Sequence, residues 1–113
     1  LQEAGVLVAA GADNIQDPFN LVGRSDPLET AALLVMAAHQ TPDEAYRMVT
    51  DHARTLIGCP PAAIQPGATA DLVAFDVPSV RAAIAEAPAS RRVYRCGVLV
   101  ASVDHHGQIH RPD

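Results

Sequence analysis

Polar residues break the apolar pattern of this chain at a few well-marked places and divide it into elements. Residues 6–10, Val-Leu-Val-Ala-Ala, form an almost unbroken apolar run that stops at Gly11 and is followed by Asp13 and Asn14. Such a run predicts a strand buried on both faces, as in a parallel sheet covered by helices. Gly5, just before it, predicts the end of a preceding helix, as its C′ residue. Residues 11–25 are rich in Asp, Asn, Gly and Pro and predict a loop long enough to carry function. Asp26-Pro27-Leu28-Glu29 is a helix start, with an acidic N-cap, proline at the first position and glutamate at the third. The helix continues over 31–38 with apolar residues on nearly every face, which predicts burial all round.

Thr41-Pro42-Asp43-Glu44 repeats the capping pattern. Ala45, Met48, Val49, His52, Ala53 and Leu56 then fall on one face of an amphipathic helix, closed by Gly58 and the Pro60-Pro61 pair. His52 lies on the apolar face and reads as a hydrogen-bonded packing histidine rather than a ligand. Beyond the prolines the pattern turns to β. Pro66-Gly67 predicts a turn, residues 70–75 a short strand, and Ser79 the cap of a small helix through Glu86 that Pro88 ends. Residues 92–96 and 98–102 predict a hairpin around Gly97. His105, His106 and His110 fall in a tail that reads as a solvated turn rather than a metal tract.

Composition narrows the function classes. The chain has 113 residues, 49% of them hydrophobic, so it is not disordered. Net charge is −5 and every one of the eight basic residues is arginine. That balance excludes a nucleic-acid partner, because no basic stripe exists to displace counterions. Arg91, Arg92 and Arg95 read as the exposed side of a strand. No apolar stretch approaches the ~20 residues of a bilayer span, which leaves no membrane partner. Cys59 and Cys96 have no metal-type spacing and, without a secretion signal, read as reduced cytoplasmic thiols. The start at Leu1, almost directly before a strand, points to a fragment of a longer chain or a processed product.

Asp13 is the leading candidate for chemistry, since residues just past the carboxyl end of a buried strand face the ligand in α/β architectures. The competing reading is that Asp13-Asn14 start a turn. Asp17-Pro18-Phe19 joins a rigid turn to an aromatic that serves equally as a pocket wall or as a plug of the core.

The order of parts resembles one family. Gly11 and Asp13 end the apolar run; Thr41-Pro42-Asp43-Glu44-Ala45 and Ala53-Arg54-Thr55-Leu56 frame the second helix. Ile64-Gln65-Pro66-Gly67, Ala70-Asp71-Leu72-Val73 and a hairpin centred on Gly97 follow. This looks like the C-terminal quarter of a metal-dependent amidohydrolase. Residues 13–19, with Gly23 and Asp26, resemble the cytosine deaminase-type branch. The resemblance implies an α/β fold made of the C-terminal part of a (β/α)₈ barrel plus strands of a small β-sandwich. Residues 1–58 would hold strand eight and two helices, and residues 59–113 the β-sandwich part.

It further implies that Asp13 binds one divalent metal, Zn²⁺ or Fe²⁺, and takes a proton from the metal-bound water. A hard carboxylate beside a divalent cation suits both tasks. Asn14 would touch the substrate or support the metal ligand, and Phe19 would stack on the substrate ring. The implied reaction is hydrolytic deamination of a nitrogen heterocycle, by a homo-oligomeric enzyme. Ala12 stands where cytosine deaminases carry histidine, which leaves other ring deaminations and cyclic-amide hydrolysis open. The remaining metal ligands would lie upstream of Leu1, and a catalytic metal needs about three protein ligands, so this chain alone is expected to be inactive and to bind no metal. Two readings from other classes stand beside the enzyme. One is a catalytically silent module whose apolar faces bind a second chain, and the other is a small-molecule binding domain built on the loop over 11–25.

Overall fold

The computed structural model describes residues 1–60 and 62–110, without the side chain of Glu3; Pro61, expected to help close the second helix, lies outside the described residues. A 3₁₀ turn, Gln2–Ala4, ends at Gly5 in the left-handed conformation, as the sequence predicts. Among the described residues four α-helices and three strands follow: α1 Pro27–Ala38, α2 Pro42–Val49, α3 Asp51–Leu56, β1 Leu72–Ala74, α4 Val80–Glu86, β2 Arg91–Arg95 and β3 Val98–Val103.

The helix starts follow from their caps. Asp26 accepts from the Leu28 N–H, Thr41 from the Glu44 N–H, and Ser79 from the Ala82 N–H. Each satisfies an amide that the helix itself leaves free. The Glu29 carboxylate reaches back past the cap to the Arg24 N–H at 2.9 Å.

The core lies where α1, α2 and α4 meet. Leu28, Ala31, Ala45, Ala83 and Ile84 are buried together, with Val35, Val49, Phe75 and Val77 packed around them. Ala31 and Ala45 are fully buried, and their small side chains let α1 and α2 approach closely. The expectation that α1 is buried all round is not met. Leu33 is 55% and Met36 68% exposed, because the described residues cover only the face turned to α2 and α4.

The single helix expected from Pro42 to Leu56 is two. Thr50 departs from helical geometry, at φ −121° and ψ −91°. Its hydroxyl donates to the Tyr46 carbonyl four residues back at 2.7 Å, a bond that bends helices. The break leaves the Met48 carbonyl to accept the Ala10 N–H at 3.1 Å.

Residues 6–10, expected as a buried strand, form no sheet ladder among the described residues, and Val6 and Leu7 are exposed. A strand needs a neighbour to receive its N–H and C=O groups. Here the segment is held instead by α2 and α3, through the Ala10–Met48 bond and through the Val8 carbonyl, 2.9 Å from His52 Nδ1. His52 therefore has the packing role read from its position on the apolar face.

The strands form one antiparallel sheet in the order β1-β2-β3. The β2–β3 turn is the two-residue hairpin expected at Gly97. Cys96 and Gly97 have φ of 50° and 78°, the left-handed pair of a type I′ turn. Asp71 holds that turn: its Oδ1 accepts the Cys96 N–H at 2.8 Å, and the Ala70 carbonyl accepts the Gly97 N–H at 3.0 Å. A bulge between Val93 and Tyr94 shifts the register against β3.

Arg92 and Arg95 are exposed, as expected, but Arg91 is not. Its guanidinium meets Asp26 Oδ2 at 2.9 Å, donates to the Pro88 carbonyl and lies 5.2 Å from the centre of the Phe75 ring. That arginine ties the sheet to the start of α1.

Candidate functional site

The segment 11–26 is built from short-range hydrogen bonds rather than from a helix or strand. Asp17 is its hub. Its Oδ1 accepts the Phe19 N–H at 2.9 Å and the Asn20 N–H at 3.0 Å, while its Oδ2 accepts from Asn14 Nδ2. Asn20 Nδ2 closes the loop by donating to the Asn14 carbonyl at 3.1 Å. Gly23 is buried against this knot. A Cβ there would sit 2.7 Å from the Asn14 carbonyl oxygen and 2.5 Å from Asn20 Nδ2.

The electrostatics agree with that geometry. Partial removal from water pushes the Asp17 carboxyl up, but the Asn14 amide and the Asn20 and Phe19 N–H groups favour the charged form more strongly. The net effect holds it below its ordinary value of 3.8.

Asp13 precedes the knot in the left-handed conformation, φ 57°, which aspartate tolerates better than most residues. It is exposed, and no side-chain hydrogen bond restrains its carboxylate among the described residues. Asn14 is half-buried, whereas Phe19 is 88% exposed and plugs no core. Asn14 and Phe19 are thus joined through Asp17, and Asp13 lies one residue outside that network. Beside it, a cavity of about 190 Å³ is lined by Gly11, Ala12, Ser25, Asp26, Thr30 and Val49.

A larger cavity, about 580 Å³, lies between β2 and the tail, and Arg91, which lines it, meets Asp26 of the smaller cavity at 2.9 Å. Asp76, Asp104, Arg91 and Arg92 line the larger cavity with His105 and His106, so its charges largely offset one another. The tail is exposed, as expected, yet anchored: Ser90 Oγ accepts the His105 N–H at 2.8 Å.

Sequence reasoning singled out Asp13, Asn14 and Phe19 and passed over Asp17 as a mere turn former. The available signal was the Asx pattern, an aspartate able to reach the N–H two residues on. The divalent metal expected at Asp13 does not fit the described residues as a complete site. Among them no three His, Cys, Asp or Glu side chains converge, and Asp13 supplies one carboxylate.

The chain is similar to a pterin deaminase of Rhizobium rhizogenes, 32% identical over 103 residues. The match takes in 88% of this chain and 24% of the relative, so the chain spans about a quarter of that protein's length. The similarity supports a broad relation to deaminases and a hydrolase acting on C–N bonds at that coarse level. No family model matches the chain, and no solved structure matches it. No helix among the described residues is long and apolar enough to cross a membrane.

Proposed function

We propose that this chain is the site-bearing end of an enzyme that hydrolytically deaminates a nitrogen heterocycle of the pterin or cytosine kind. The observation that carries the reading is the similarity to a pterin deaminase along 88% of the chain. In this reading water adds to an amidine-like ring carbon, the exocyclic C–N bond breaks, and ammonia leaves. The exposed Asp13 carboxylate accepts the proton of the attacking water and returns it to the leaving nitrogen. Asn14 hydrogen-bonds the ring edge, and Phe19, presented by the Asp17 turn, covers the ring face. A divalent metal would supply a water of lowered pKa, and the described residues do not complete its site.

The barrel architecture belongs to the same proposal. It gives residues 6–10 the neighbouring strands they lack and covers Leu33 and Met36 of α1. The test is ammonia release from pterin and from cytosine by the protein that carries this chain. Release that disappears in Asp13→Asn supports the reading, and release from neither heterocycle overturns it.

One observation favours a second reading. All of β3 is exposed, with Val98, Leu99, Val100 and Val103 among its residues, and an apolar edge of that kind promotes association with another chain. A catalytically silent, self-associating module would show as an oligomer by size-exclusion chromatography and release no ammonia from either compound.

A further inference from the structure

We propose that Asp17 is a positioning residue that fixes which way round the Asn14 side-chain amide faces, so that the site presents a hydrogen-bond acceptor to the edge of its heterocycle. The inference rests on the proposed function for the identity of that heterocycle, but its structural half stands on the loop alone.

An ionised carboxylate accepts hydrogen bonds and donates none, whereas a carboxamide does both, from opposite corners. Asp17 Oδ2 therefore admits only the NH₂ corner of Asn14, and the contact between these atoms is made. The other carboxylate oxygen cannot swing away to relax that demand, because the Phe19 and Asn20 N–H groups hold it at 2.9 and 3.0 Å. The Asn14 backbone is pinned as well, through its carbonyl and Asn20 Nδ2. With both ends held, Asn14 Oδ1 is the corner left for a ligand. The groups it selects are N–H and NH₂ on the ring edge, as on an aminopyrimidine; a ring offering only lone pairs at that edge meets an acceptor facing an acceptor. The lowered pKa of Asp17 agrees, since the same contacts favour its charged form.

The substitution that tests this is Asp17→Asn. The new Oδ1 still accepts the Phe19 and Asn20 N–H groups, so the turn is kept. Its NH₂, however, now faces Asn14 and favours the opposite orientation of that amide, with the donor corner outward. In the protein that carries this chain, with pterin as substrate, Asp17→Asn and Asn14→Ala should each raise KM about tenfold or more and change kcat less. The double variant should be no worse than Asn14→Ala alone. Losses that multiply in the double variant would overturn the inference.

Nuclear magnetic resonance of the Asn14 side-chain amide and the Phe19 and Asn20 backbone amides gives a readout independent of turnover. In Asp17→Asn the Asn14 signal should move while the Phe19 and Asn20 amides stay protected from hydrogen exchange; in Asp17→Ala the Asn14 signal should move and both backbone amides should lose that protection. An Asn14 signal unchanged in both variants sinks the inference even if pterin is turned over. A wild-type protein inert toward pterin removes the proposed substrate, and the resonance outcome then decides the orientation of Asn14.

Discussion

Asp26 and Arg91, far apart in the sequence, meet at 2.9 Å, and the aspartate serves two structures with its two oxygens. Oδ1 caps α1 by accepting the Leu28 N–H at 3.0 Å, and Oδ2 receives the guanidinium from β2. Both side chains are mostly out of water, 17% and 25% exposed. Removing Arg91 leaves a shielded carboxylate without its partner, so Arg91→Ala should cost about 1–3 kcal/mol. Asp26→Asn keeps the cap and loses only the ion pair, and Asp26→Ala loses both. The expected order of urea midpoints is wild type, then Asp26→Asn, then Asp26→Ala. Equal midpoints for the two aspartate variants would show that the cap contributes nothing beyond the pair.

Gly23→Ala should disrupt the Asp17 loop for want of space. The added methyl meets a backbone oxygen at 2.7 Å as well as the Asn20 side chain, and a backbone carbonyl has little room to retreat. The expected loss is about 1–3 kcal/mol. It should be accompanied by faster hydrogen exchange at Asn20, whose side chain is the first to be displaced. Unchanged exchange there would mean that the loop absorbs the methyl elsewhere.

Acid should loosen the same loop. Asp17 has a folded-state pKa below its ordinary 3.8, so its contribution to stability is fully present above that value and is lost as pH falls through the lower, folded one. Protonation removes the negative charge that strengthens the bonds from Asn14, Phe19 and Asn20. The Phe19 and Asn20 amide signals should move in concert on titration from about pH 5 to pH 2. Asp17→Ala should abolish that concerted movement.

Cys96 occupies a left-handed position, φ 50°, ahead of Gly97 in the β2–β3 turn. Asparagine tolerates that conformation better and Asn-Gly is the preferred pair for a type I′ turn. Cys96→Asn should stabilise the hairpin by about 0.5 kcal/mol, read as a higher thermal midpoint under reducing conditions. The backbone N–H to Asp71 is retained in that variant.

Local chemistry was the readable part of the sequence. The three helix caps at Asp26, Thr41 and Ser79, the stop at Gly5 and the turn at Gly97 all depend on a few adjacent residues. What the pattern missed depends on neighbours distant in sequence or on conformation. Residues 6–10 have the composition of a buried strand, but a ladder needs a partner strand. Arg91 alternates with its neighbours like a surface residue, and only the fold brings Asp26 and Phe75 to it. The break at Thr50 comes from one hydroxyl choosing the Tyr46 carbonyl, which periodicity does not register. In the candidate site Asp13 was singled out by its place after the apolar run, and Asn14 and Phe19 by the family resemblance. Asp17 was not, because its importance lies in three donors converging on two oxygens.

The interruption at Thr50 has a mechanical consequence. A continuous helix would spend the Met48 carbonyl on its own next turn; the break makes it a fixed anchorage for the main chain at Ala10. Attachment through backbone atoms does not depend on which side chains surround it, so it sets the height of residue 10 along α2 as a pin sets the height of a shelf. Gly11, Ala12 and Asp13 extend from that pin, and the reach of the Asp13 carboxylate is measured from it. Straightening the helix, as Thr50→Ala would tend to do, should therefore displace Asp13 while leaving the bonds within the Asp17 loop in place.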